Sequence, residues 1–84
     1  MYYNITTKSE GGRIETKLRV SYKECINVIN DLLDEHGFNK KISKNSFRNI
    51  LTRPNLLHTS VKWLLDTGKL VLIKYSEFKK FLTS

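Results

Sequence analysis

Residues 58–70 read HTSVKWLLDTGKL, and the fold turns on whether this is a helix that stops at a glycine and passes straight into a strand. Leu57 just before it, with Val61, Leu64 and Leu65, recurs at helical spacing and forms an inward stripe. His58, Thr59, Lys62, Trp63 and Asp66 lie on the other side. Gly68 is the expected stop, since a helix most often closes on a residue with φ above zero. Upstream, Pro54 disfavours helical geometry at Arg53, so the chain must turn there. Asn55 is then expected to cap this third helix, over roughly residues 55–67.

The neighbours on either side fit that reading. SKNSFRNIL (43–51) predicts a shorter second helix over about 45–52, with Phe47, Ile50 and Leu51 inward and Arg48 outward. Downstream, KLVLIKY (69–75) predicts a strand. Its continuous apolar run from Leu70 to Ile73 suits cover on both sides, and its expected partner is the N-terminal hairpin. Ser76 is expected to cap a last short helix in which Phe78, Phe81 and Leu82 share a face.

Towards the N-terminus, RIETKLRV (13–20) alternates Ile14, Thr16, Leu18 and Val20 with Arg13, Glu15, Lys17 and Arg19, the pattern of a half-buried strand. YYNITTK (2–8) is a weaker strand, and SEGG (9–12) supplies the glycines of a hairpin connection. Ser21 followed by Glu24 is a capping box. The helix after it, over about 22–36, carries Tyr22, Cys25, Ile26, Ile29, Leu32, Leu33 and His36 on one stripe, with Gly37 as its stop. NKKIS (39–43) is either a linker or a brief strand carrying Ile42. The order is that of a small winged helix-turn-helix-like α+β domain with an N-terminal β-hairpin. It divides into hairpin (1–20), first helix (21–37), helix-turn-helix (44–68), strand (69–75) and terminal helix (76–84).

Eighty-four residues allow one domain with a modest core. No apolar run is long enough for a membrane span, the first residues lack the pattern of a secretory leader, and a cytoplasmic protein is expected. The single cysteine, Cys25, falls on the apolar stripe and reads as a buried small hydrophobe. No Cys/His set has zinc spacing. Paired carboxylates, a Ser/His/Asp set and a phosphate-cradling glycine loop are also missing, so neither metal, cofactor nor catalysis is expected. The net charge of +7 is unevenly placed. Residues 1–39 carry five Lys/Arg against six Asp/Glu, whereas residues 40–84 carry ten against two, a net of +8. Clustered cations of this kind suit a polyanion, because they release its counterions.

The segments SVKWLLDTGKL (60–70) and IKYSEFKKFL (73–82) resemble the small winged-helix proteins of the excisionase/MerR-like group. The resemblance covers residues 44–84 and is carried by Ser60, Val61, Lys62, Trp63, Gly68, Lys69, Leu70, Lys74, Ser76, Glu77, Phe78, Phe81 and Leu82. It implies a DNA-binding function of the kind found in mobile genetic elements, in recombination or its regulation. The pattern departs from that group in five ways, two of them being that SKNSFRNIL (43–51) lacks the small alanine usual in that helix and that the N-terminal 20 residues have no counterpart there. Only VLI separates Leu70 from Lys74, so the wing is cut to one strand. Trp63 stands where a basic residue is usual, and Asp66 adds a negative charge beside it. Wing-mediated DNA contact therefore does not follow.

Two uses of the scaffold remain. In the first, the third helix enters a major groove of duplex DNA, or meets single-stranded DNA. Asn55, His58, Thr59 and Lys62 would then read bases, and Lys44, Arg48, Arg53, Lys69 and Lys74 would hold phosphates. In the second, Trp63 and Asp66 anchor a larger replication or recombination protein to which this chain is an accessory subunit. Trp63 is either such an anchor or is covered by the hairpin or the last helix.

Overall fold

The computed structural model of the protein describes residues 2–75, so the expected terminal helix at 76–84 lies outside the described residues. Two strands, β1 (Tyr2–Lys8) and β2 (Ile14–Ser21), form the hairpin. Helices α1 (Tyr22–Glu35) and α2 (Lys44–Thr52) follow. A 3-10 turn at Pro54–Leu56 leads to α3 (Thr59–Asp66), and β3 (Leu70–Lys74) closes the sequence of elements. The sheet order is β2-β1-β3, antiparallel throughout. The strand after α3 thus pairs with the hairpin, as expected, and β1, the weaker strand by sequence, is the central one.

One sheet face holds the core. Ile5, Leu70 and Tyr3 meet Cys25, Ile29, Leu32 and Leu33 of α1, Phe47 and Ile50 of α2, and Val61 and Leu64 of α3, all buried. The Tyr3 ring stands edge-on to Phe47 at 5.1 Å. Packing of this kind, rather than propensity, sustains helices as short as α3. The α1 stripe is as the sequence implied. Ser21 caps it by accepting the Glu24 N–H at 3.4 Å. At its end Gly37 has φ +82, and Phe38 N–H donates to the Leu33 carbonyl at 2.9 Å, a closure that needs φ above zero. Ile42 belongs to a linker, not a strand. It is buried and fixed by its N–H donating to Asn30 Oδ1 at 2.7 Å.

Three expectations are corrected. The third helix begins at Thr59, not Asn55. Pro54 starts a separate 3-10 turn, and Leu57 (ψ 151) and His58 (ψ 147) are extended, which breaks helical continuity. His58, not Asn55, is the cap, its Nδ1 accepting the Ser60 N–H at 3.3 Å. The second correction concerns β2. Ile14 and Leu18 are 65% and 61% exposed while Val20 is buried, because the pairing slips by one residue opposite Asn4. An inserted residue of this kind reverses which face the following side chains occupy. The third concerns β3, which is covered on one side only. Leu70 is buried, but Val71 is 43% exposed on the outer face.

Candidate nucleic-acid interface

The stop at Gly68 fixes where α3 ends. Gly68 has φ +73, and Lys69 N–H returns to the Leu64 carbonyl at 2.9 Å. Burial of Ser60, Val61 and Leu64 then turns Thr59, Lys62, Trp63 and Asp66 outward. His58 at the N-cap also contacts Ser60 Oγ through Nδ1 at 2.9 Å. Since Nδ1 accepts the backbone N–H, its proton sits on Nε2. The first turn of α3 is therefore held rigidly, with His58 and Thr59 exposed beside it.

The linker brings in two cations that the sequence reading left out. Lys40 and Lys41 line a cleft of about 170 Å³ together with Ser46, Leu57, His58 and Ser60. Their place depends on Ile42 being buried, which pulls the NKK run against the start of α3. The only signal for this in the sequence is the isolated apolar Ile42 within a polar linker. Lys41 also faces Asp31 and Asp34 across a second cleft, so its potential is partly cancelled and Lys40 is the freer charge. Asp31, Asp34 and Glu35 make the exposed face of α1 acidic, and Lys41 lies between that face and the cleft at the start of α3.

Trp63 is 40% exposed. Its ring stands edge-on to His36 and Phe38, each at 5.6 Å, and Lys69 Nζ lies 5.4 Å from its centroid. The end of α1 and the linker flank it. His36 is itself held in place by Nε2–H donating to the Lys8 carbonyl at 3.0 Å. Asp66 is exposed at the far end of α3.

The structure separates the expected site residues into groups. His58, Thr59 and Lys62 are exposed at the start of α3, Lys69 lies half-exposed past its end against Trp63, Asn55 is exposed on the preceding 3-10 turn and Arg53 is exposed at the end of α2. Lys44 and Arg48 stand elsewhere. They border a cleft with Tyr3, Tyr22 and Phe47, and Lys44 Nζ sits 5.1 Å from the Tyr22 ring. Lys74 pairs in register with Tyr3, at that same end of the sheet. Since Ser46 faces the α3 cleft and Arg48 faces Tyr3, α2 stands between the two basic groups.

No protein-family model, curated protein or solved structure matches the chain. The structure shows a small α+β domain, and among the described residues no helix is long and apolar enough to cross a membrane.

Proposed function

We propose that the domain is a small non-enzymatic DNA-binding protein, of the excisionase-like or regulatory kind carried by mobile genetic elements, that meets duplex DNA with the exposed edge of α3. The observation that carries this reading is that Lys40 and Lys41 share a cleft with His58 at the N-cap of α3, beside the exposed Thr59 and Lys62 of its first turn. The first turn of a helix in a major groove reaches base edges, while flanking cations contact phosphates. Asp66 is set at the opposite end of α3, away from that turn. The acidic face of α1 would repel a polyanion, so DNA approaches from the α3 side. The test is binding to labelled duplex and single-stranded DNA over a salt titration. Duplex binding that weakens steeply with salt supports the reading, and binding that is undetectable or independent of salt overturns it.

A second reading is favoured by one observation, the half-exposed Trp63 framed by His36 and Phe38. A tryptophan held edge-on between two rings, with Asp66 nearby, suits an anchor on a larger replication or recombination protein. On that reading Trp63→Ala abolishes co-purification with the partner and leaves any DNA affinity unchanged.

A further inference from the structure

We propose that the protein forms a homodimer by antiparallel pairing of β2 with β2 of a second copy, about a two-fold axis at Thr16. The inference starts from which backbone groups of β2 are free. Ser9 N–H donates to the Arg13 carbonyl and Lys8 N–H to the Lys69 carbonyl. In an antiparallel ladder successive residues turn their backbone groups to opposite sides. Arg13, Glu15 and Lys17 therefore bond inward to β1, and Ile14, Thr16 and Leu18 present N–H and C=O at the open edge. The Arg19 N–H continues the alternation, pointing back to Asn4 Oδ1 at 3.0 Å.

A two-fold axis at Thr16 brings these three residues into register with their own copies. Thr16 meets Thr16, and Ile14 meets Leu18 of the second copy, all through the outward-facing groups. Directly opposed residues share a sheet face. Ile14 and Leu18, 65% and 61% exposed in one copy, cover each other across the join. Glu15 and Lys17, on the helix side of the sheet, form two pairs of opposite charge. Among the described residues Lys17 has no ion pair of its own, and Glu15 has only the exposed Arg13, at 3.1 Å. Arg13 and Arg19 would be like charges at the ends, but Arg19 is withdrawn. Its backbone lies at φ +55, and its guanidinium is drawn over the Tyr2 and Tyr75 rings at 5.5 and 6.0 Å. The other free edge, β3, offers no such complement. Between its flanking lysines, Lys69 and Lys74, there is no acidic residue. Two copies joined at β2 give one six-stranded sheet, and an edge otherwise open to indiscriminate pairing is closed.

Strand pairing alone is a small interface, so self-association is expected in roughly the micromolar-to-millimolar range. The experiment is sedimentation of the full chain without DNA up to millimolar concentration, so its outcome does not depend on nucleic-acid binding. The wild type should dimerise. Glu15→Lys alone and Lys17→Glu alone should each weaken the dimer about tenfold or more, since both cross-strand pairs become like-charged. Mixing the two variants should restore association as a heterodimer, because the lysine pair of one variant then lies opposite the glutamate pair of the other. Lys17→Glu also faces Asp31 and Glu35 of α1, so its fold is checked by circular dichroism. Thr16→Pro provides an independent arm. It removes an N–H that points away from β1, leaving a folded monomer. A wild type that stays monomeric at millimolar concentration overturns the proposal. So does a dimer indifferent to both Glu15→Lys and Thr16→Pro.

Discussion

Replacing Lys62 by alanine, with Lys44→Ala as its counterpart, tests whether DNA meets α3 or merely any basic surface. Both residues are exposed lysines near helix starts, and both are in the half of the chain that carries the excess charge. The structure nevertheless puts them on different sides of α2. Lys62 is exposed on α3, Lys40 lines the cleft at its N-cap, Lys69 reaches Trp63 from beyond its far end, and Lys44 sits over Tyr22. If Lys62, besides facing a base edge, lies close enough to a phosphate to count with Lys40 and Lys69 as three neutralised charges, the slope of log K against log salt is about −2.7. Lys62→Ala lowers its magnitude to about 1.8, and near 0.1 M salt the lost contact costs about eightfold in affinity. Lys44→Ala leaves slope and affinity unchanged. Fluorescence anisotropy on a short duplex over a salt series reads both quantities. Equal losses for the two variants would refute the assignment of α3 as the DNA-facing edge and leave only diffuse attraction by net charge.

The remaining predictions concern the scaffold. Leu64→Ala should cost about 2–5 kcal/mol, because Leu64 is fully buried between α3 and the sheet; urea melts read this directly. Gly68→Ala should cost about 1–2 kcal/mol from backbone strain at φ +73 alone, since nothing lies within 4 Å of the added carbon. Burial, and secondarily Glu24, pushes the Cys25 thiol up to about 11. The unfolded thiol ionises near 9, so between those values the unfolded chain holds fewer protons and stability falls as pH rises. The fall, about 2–3 kcal/mol at most, should shrink in Cys25→Ala. It should not vanish, because the Tyr3 hydroxyl is raised in the same sense, first by burial and then by Cys25. Thermal melts at pH 8 to 11 compare the two.

The fold was legible where one signal controlled one feature. The apolar stripe of α1 and its two closing residues, Ser21 and Gly37, specify that helix without help from the rest of the chain. Gly68 did the same for the end of α3. The start of α3 was not legible, because two signals competed. Asn55 after Pro54 is a good cap by type, yet the extended Leu57 is what places its side chain against the core. A histidine capping through Nδ1 is rarely anticipated from residue preference. At the candidate site, the outward placement of Thr59, Lys62, Trp63 and Asp66 followed from helical spacing. Lys40 and Lys41 did not, since their position depends on Ile42 reaching the core and on Asn30 of α1 holding it there. The separation of Lys44 and Arg48 from α3 is likewise a property of packing, which charge counting along the chain cannot register.

The reading of β2 failed for a reason that bears on function. Strict alternation over residues 13–20 is a valid strand signal, and β2 is a strand. Alternation assigns a face only while the register is unbroken, and the slip opposite Asn4 breaks it between Leu18 and Val20. The conformation at Arg19, unusual for a residue with a β-carbon, costs about 1–2 kcal/mol. Asn4 Oδ1 and the Tyr2 and Tyr75 rings offset that cost. The same slip lets Val20 reach the core while Ile14 and Leu18 face out. Had the register been unbroken with Val20 inward, the apolar residues of β2 would have been absorbed into the core and the open edge would carry only charge. The inserted residue thus divides one apolar stripe between the core and the outer face. Its deletion, Arg19 removed with Val20 kept, sets Val20 directly after Leu18 with Ile5 still opposite Lys17, so Val20 should stay buried and Ile14 and Leu18 should stay outward in a regular ladder. Two-dimensional NMR of that variant would show the Val20 methyls protected and the Ile14 and Leu18 methyls open to solvent. If the Ile14 and Leu18 methyls become protected instead, the pairing has shifted along β1 and this account of the register fails.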